Sequence, residues 1–320
     1  MKSSLDLRLL DEHIFEDDTR YIIDRNQITV VIPTLNEEKA IGSVLSEVQR
    51  EGFENILVVD GYSRDNTVEE VEKFGIKPIQ QEGGGKTGAI KTAINHVRTP
   101  YFIVIDGDST YDPVDIELLA REAAKFNQVI GSRRDRVNIK PLNRFGNNMI
   151  NLCFNVFFGT HLTDVCSGLY ILRTNFAKTL VLNSKGFDVE VEIAAQAANS
   201  NSIKEVPIAY RTRIGVQKLN PLRDGFKIVK TILSLGRKYN PIVFYSFLAS
   251  ILLIVPGLFF LFWSHTLVTS GFWSPQLDLY IGLFINTGIE FLFFGIIISQ
   301  VRHLWRYIHI SQLEKKMYLA

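Results

Sequence analysis

Apolar and polar positions alternate with two periods along most of the chain, and then the alternation stops. Short buried-strand runs recur at residues 28–33, 55–60, 101–106 and 128–131. Between them the apolar positions follow a helical period, over residues 36–48, 63–74, 87–97 and 113–126. The first of these predicts a helix opened by Asn36 as its cap, with acidic residues in its first turn. Residues 76–79 read as a short edge strand holding a proline. Strand and helix in alternation predict βαβ units, an α/β fold and a mostly parallel sheet. In such sheets ligands bind beyond the carboxyl ends of the strands. Residues 1–27 are acidic and carry no clear period; they read as an extension, helical or irregular.

The pattern changes after residue 238. No Asp, Glu, Lys or Arg occurs from Tyr239 to Leu277, and residues 242–263 read IVFYSFLASILLIVPGLFFLFW. A helix of that length spans about 33 Å, enough for a hydrocarbon core. A second run, residues 279–301, holds one charge, Glu290, which is either functional or turned to a partner helix or an interface. A polar and aromatic turn at residues 264–278 separates the runs, and Trp263, Trp273, Tyr280 and Trp305 stand at run ends. Lys227, Lys230, Arg237 and Lys238 precede the pair, Arg302, Arg306, Lys315 and Lys316 follow it, and the turn has no Lys or Arg. That bias predicts a multi-pass membrane protein of two helices with the preceding domain and both termini cytoplasmic. No secretory signal is expected at the N-terminus, since the first apolar run there is too short. The expected divisions are an extension 1–27, an α/β domain with a basic juxtamembrane segment 28–238, a transmembrane hairpin 239–303 and a tail 304–320. A hairpin anchor also leaves room for a homo-oligomer.

Charge sharpens this division. The chain of 320 residues carries 35 basic and 34 acidic groups, and all but four and three of them precede residue 239. A balance so near zero excludes a nucleic-acid binder held by bulk positive charge. Two cysteines, Cys153 and Cys166, exclude a disulfide scaffold and a cysteine-rich zinc module; in apolar context they read as buried thiols. No Gly-x-Ser-x-Gly motif is present.

Polar groups fall at three strand ends: residues 34–37, Asp60, and residues 106–108. In Asp106-Gly107-Asp108 two carboxylates flank one small residue after a buried run. Such a pair suits a hard divalent cation, which binds a diphosphate in turn; an ordinary Asp-Gly turn is the alternative. Residues 82–87 read EGGGKT, but Gln80 stands where a phosphate loop of the triphosphatase kind needs glycine. What remains is a glycine loop opening a helix, with Lys86 near any anion held there. Five basic residues and one acid occupy residues 131–147, and nine basic residues and two acids occupy residues 204–238. These are solvated faces or sites for phosphate and anionic lipid.

Residues 31–37 (VIPTLNE), 58–61 (VVDG), 105–108 (IDGD), 131–133 (GSR), 164–168 (DVCSG) and 207–222 resemble glycosyltransferase family 2. The resembling branch is the polyprenyl-phosphate sugar synthases, which includes dolichol-phosphate mannosyltransferases and polyprenyl-phosphate glucosyltransferases. The resemblance runs from about Ile28 to Pro241 and implies a glycosyltransferase-A fold, Rossmann-like, followed by the two-helix hairpin. It implies that Pro33, Leu35, Glu37, Asp60, Asp106 and Gly107 bind the nucleotide. Asp106 and Asp108 would hold Mg2+ or Mn2+ on the diphosphate. Asp108, Arg133, Arg144 and Arg213 would form the catalytic set, and Asn148, Ser167 and Lys218 would gather the acceptor phosphate. The partners implied are a nucleotide sugar, GDP-mannose ahead of UDP-glucose, and a dolichyl or polyprenyl phosphate in the membrane. Thr110 replaces a metal-coordinating Gln of some relatives, and Leu35 a common aromatic. A processive polysaccharide synthase is disfavoured, because residues 300–305 (QVRHLW) match its Gln-x-x-Arg-Trp motif at the wrong spacing. An inactive sugar-nucleotide-binding scaffold would not need the acidic and basic groups kept here.

Overall fold

The computed structural model describes residues 23–133, 141–184, 186, 188–215, 221–271 and 274–318. The chain forms two compact units. One runs to Thr231 but omits Val156–Gly159; the other comprises those four residues and the chain from Ile232 onward.

The first unit is built on a seven-stranded sheet. Its strands are β1 (Ile28–Thr34), β2 (Ile56–Asp60), β3 (Ile79–Gln80), β4 (Tyr101–Val104), β5 (Gln128–Arg133), β6 (Tyr170–Arg173) and β7 (Ile203–Ile208). Their order is β3-β2-β1-β4-β6-β5-β7. The pairs β1–β2, β1–β4, β2–β3 and β5–β7 are parallel, whereas β6 runs antiparallel to both β4 and β5. The sheet is therefore mostly parallel, as expected, with one reversed strand near its middle.

The helices of this unit are α1 (Ile41–Arg50), α2 (Thr67–Glu72), α3 (Gly85–His96), α4 (Asp115–Ala123), α5 (Pro141–Phe158), α6 (Thr174–Ala177), α7 (Val189–Asn199) and α8 (Pro221–Tyr239), the fifth and eighth crossing the unit boundary. In α1 the buried residues are Ile41, Val44, Leu45 and Val48, a single stripe at helical spacing. They pack on Val30, Ile32, Ile103 and Ile105 in one core.

Several expected boundaries move, each for a local reason. Asn36 does not cap α1: it sits at φ 51°, and α1 begins five residues later. The Asn36 side chain instead accepts from the Arg64 backbone N–H at 2.7 Å, in the loop after β2. Strand β3 begins past Pro78, which has no N–H to give the ladder. Strand β5 runs on to Arg133 because β7 supplies a parallel partner along its whole length. Residues 141–147, the end of the basic segment 131–147, belong to α5.

The second unit holds α9 (Pro241–Ser270) and α10 (Pro275–Tyr318). Within them Pro241–His265 and Pro275–Arg302 have mean hydropathies of 2.4 and 2.0 and are long and apolar enough to cross a membrane. Little of each stretch is buried, unlike the core helix of a soluble domain. The helices pass beyond the apolar runs into the expected turn. Gly271, at φ 69°, ends α9, and Pro275 takes the first position of α10. Trp263 thus lies inside α9 and is buried, while Trp273 falls outside the described residues. The helices approach closely at two glycines: a Cβ on Gly288 would lie 2.8 Å from Leu253, and one on Gly295 would lie 2.8 Å from Tyr245.

Candidate active site

Three strands deliver the site. In the loops after β1, β2 and β4 stand Asn36, Tyr62 and Ser109, at φ 51°, 65° and 62°. Non-glycine residues rarely hold this conformation, and it collects where the surroundings over-determine the backbone. Here the surroundings are a hydrogen-bonded zipper between the loops after β1 and β2. The N–H groups of Asn36 and Glu37 donate to Ser63 Oγ and Thr67 Oγ1, each at 2.8 Å, and the Asn66 N–H returns a bond to Glu38 at 3.2 Å. Asp60 is buried and accepts from the Ser63 N–H at 3.0 Å and its hydroxyl at 2.5 Å. Pro33 is half-buried at the end of β1, and Leu35 is exposed at the rim.

The last bond of β4 is the Ile105 N–H to Val31 O at 3.0 Å, and it leaves Asp106 and Asp108 just beyond the sheet. Gly107 between them lies close under β1: a Cβ there would come within 3.2 Å of the Thr34 methyl. Asp108 accepts from the Thr110 hydroxyl at 2.6 Å and from the Thr110 N–H at 3.1 Å. Thr110 is thus turned onto Asp108. Burial raises the Asp108 carboxyl above its ordinary range, and the neighbouring Asp106 adds to that shift.

Each carboxylate meets a fixed cation. Lys86, from the start of α3, lies 2.6 Å from Asp106 and 2.6 Å from Glu190 of α7. Burial alone would lower the Lys86 pKa, but the two carboxylates outweigh it and hold the ammonium well above its usual value. Asp108 pairs with Arg213, whose other terminal nitrogen lies 2.7 Å from Glu37. The segment carrying Arg213 is laid across the loop after β4: the Arg211 N–H donates to Thr110 O at 2.8 Å and the Ile214 N–H to Asp108 O at 3.2 Å. Arg211 fastens its side chain to Glu47 and Asp112.

A second cluster surrounds the start of β6. Arg133, at the end of β5, pairs with Asp164 in a bidentate contact and lies 5.1 Å over the Tyr210 ring. Tyr210 packs edge-on against Tyr111 at 5.4 Å, and the Tyr111 hydroxyl accepts from the Gly168 N–H at 2.7 Å. Gly168 admits no side chain, since a Cβ would fall 2.0 Å from Asp106 Oδ2. Ser167 is buried and turned towards Tyr111.

The structure therefore gathers Glu37, Asp106, Asp108 and Arg213 at one strand end. Arg144 and Asn148 stand one turn apart on the exposed part of α5, and Lys218 lies outside the described residues. Two carboxylates presenting hard oxygens fit Mg2+ or Mn2+. No group of three or more metal-binding side chains occurs among the described residues, so a diphosphate or water would supply the remaining ligands. Glu190 was not singled out in the sequence. Its signal was two acids, Glu190 and Glu192, inside an otherwise apolar helix where every residue from Val189 to Ala195 is buried.

A mixed sheet whose strand ends hold an acidic pair beside fixed arginines is the frame of a sugar-nucleotide transferase of glycosyltransferase-A type. A solved structure of glucosyl-3-phosphoglycerate synthase from Mycobacterium tuberculosis, in complex with Mn2+, UDP-glucose and phosphoglyceric acid, shares this fold. Its TM-score is 0.55 at 19% identity, covering 65% of this chain and 79% of that one. Residues 29–181 match the model of glycosyl transferase family 2. Glycosyltransferase AglJ of Haloferax volcanii is 33% identical over 68% of this chain and 75% of its own length. A dolichyl-phosphate hexose transferase of the same organism is 32% identical over 67% of this chain and 95% of its own. The chain belongs to glycosyltransferase family 2.

Proposed function

We propose that this glycosyltransferase moves a hexose from a nucleotide sugar to a dolichyl or polyprenyl phosphate at the cytoplasmic face of a membrane, with inversion at the anomeric carbon. The observation that carries the reading is the placement of Asp106 and Asp108, each held by a buried-side cation, at a strand end of a chain that also carries an apolar helical hairpin. The dolichyl-phosphate hexose transferase among its relatives supports the acceptor class.

In this reading a lipid phosphate oxygen forms a bond to the anomeric carbon as the bond to the nucleoside diphosphate breaks. A phosphomonoester is already ionised near neutral pH, with a second pKa of about 6, so no general base is required. The chemical problem is to bring two anionic phosphates together, which suits Arg133, Arg144 and Arg213. Asp106 and Asp108 would hold Mg2+ or Mn2+, and that ion would offset charge on the leaving diphosphate. Pro33, Leu35, Glu37, Asp60 and Gly107 would line the nucleotide side, and Asn148, Ser167 and Lys218 the acceptor side. The basic residues flanking the hairpin support cytoplasmic ends.

GDP-mannose is the donor we favour, from the branch that the motifs resemble. UDP-glucose is the second reading, supported by the donor in the solved neighbour. The test is transfer of labelled sugar into a lipid extract by purified protein with Mn2+ or Mg2+, polyprenyl phosphate and each donor in turn. Label from one donor fixes the sugar. No label from either, beside an active control enzyme, overturns the acceptor assignment.

A further inference from the structure

The outer face of α10 carries a seam that α9 does not cover. Leu283, Asn286, Glu290, Phe293, Ile297 and Gln300 follow one another at alternating steps of three and four residues, and all six are exposed. Leu283, Phe293 and Ile297 are each more than half exposed. The opposite side of the helix holds Gly288 and Gly295, already packed on α9. The seam is thus a second face, with the spacing by which helices interlock side by side.

Its centre is polar. Asn286 donates to Glu290 at 2.7 Å, and both lie within a turn of the middle of Pro275–Arg302. In hydrocarbon a carboxyl group and an amide are costly unless they meet protein partners. One bond between them leaves further donor and acceptor capacity on both side chains.

We propose that this seam joins two copies of the chain, an inference that rests on the hairpin lying in a membrane. Copies of one chain insert with the same orientation, so their α10 helices run parallel at equal depth. In that arrangement each seam meets its own equal: apolar layers face apolar layers, and the Asn286–Glu290 step faces another amide and carboxyl. The polar step also sets the register, as a single polar layer does in parallel coiled coils.

Disulfide trapping in native membranes tests this with the full chain. Phe293→Cys and Ile297→Cys should each give a band of two chain masses on oxidation. The wild-type chain, with its two native cysteines, and Ile296→Cys, pointing a quarter-turn away, should stay monomeric. Adding Asn286→Leu and Glu290→Leu to Phe293→Cys should lower the trapped fraction by about three- to tenfold, the effect of one or two polar contacts between helices in lipid. Monomer at both seam positions, equal trapping at Ile296→Cys, a band that mass spectrometry assigns to a different protein, or trapping unaffected by the two leucines would each overturn the proposal. Alkaline extraction separates the two readings. A chain stripped from the membrane overturns the hairpin assignment as well, whereas a retained chain that never cross-links overturns only the seam.

Discussion

Arg133 grips Asp164 through both carboxylate oxygens, Nε to Oδ2 at 2.6 Å and Nη2 to Oδ1 at 2.5 Å, and its own backbone N–H adds a third bond to Oδ2 at 3.0 Å. Both side chains are nearly buried. Asp164→Ala strands a guanidinium in low dielectric and should cost about 3–5 kcal/mol of stability. Arg133→Lys keeps the charge but not the fork, and should lose less stability while lowering transfer by about tenfold or more. Urea unfolding followed by fluorescence reads the first effect and the transfer assay the second. An Asp164→Ala chain that unfolds at the wild-type midpoint would remove the pair from the fold's support.

Asp108→Asn keeps an oxygen for the Thr110 hydroxyl and so should preserve the loop, but it removes the charge facing Arg213 and any cation. Transfer should fall by about a hundredfold or more with an unchanged circular dichroism spectrum. Mn2+ should raise the melting temperature of the wild type and not of this variant, because binding to the folded state alone stabilises it. Full activity in Asp108→Asn would rule out its role as a metal ligand.

Gly168→Ala would force a methyl group onto the Asp106 carboxylate. The expected cost is about 1–3 kcal/mol, with transfer reduced more than stability, since Asp106 must move. Gly225→Ala, in α8 with open space around it, is the control and should stabilise by about 0.5–1 kcal/mol. Equal melting temperatures and equal activities in the two variants would show that Asp106 has room the structure does not give it.

Burial pushes the Cys166 thiol far up, with Glu190 and Asp164 adding to the shift; burial alone raises Cys153. Only the thiolate reacts, and an ordinary thiol with a pKa of about 8.5 is half ionised at that pH. From pH 8 to 10 the alkylation rate of a free thiol should level off. That of Cys166 should keep rising about tenfold per pH unit, because its folded pKa lies above the whole range. Mass-resolved labelling with iodoacetamide checks this. A plateau for Cys166 near pH 9 would mean an ionised, accessible sulfur.

Strands β1, β2, β4 and β5 were legible because each is an apolar run long enough to show its period, and two of those runs end in Asp. Strand β6 is only four residues, and β7 sets Lys204 and Glu205 side by side among its apolar positions and holds Pro207, as suits an edge. Asp106 and Asp108 were readable from local spacing. The pairing of Asp108 with Arg213 was not, since 105 residues separate them and only the segment after β7 brings them together. Asn36 misled for a related reason: its capping chemistry is real, but a loop after β2 uses it in place of a helix.

The reversal of β6 has a consequence for how such a protein can change. Every other strand of the sheet reaches the rim with its last residues, while β6 starts from it, just after Ser167 and Gly168. One part of the rim therefore hangs on the strand's entrance and is attached to the fold separately from the loops after β1, β2 and β4. In the proposed function Ser167 lies on the acceptor side, so insertions before β6 would remodel that wall of the cleft while the walls built after β1, β2 and β4 kept their spacing.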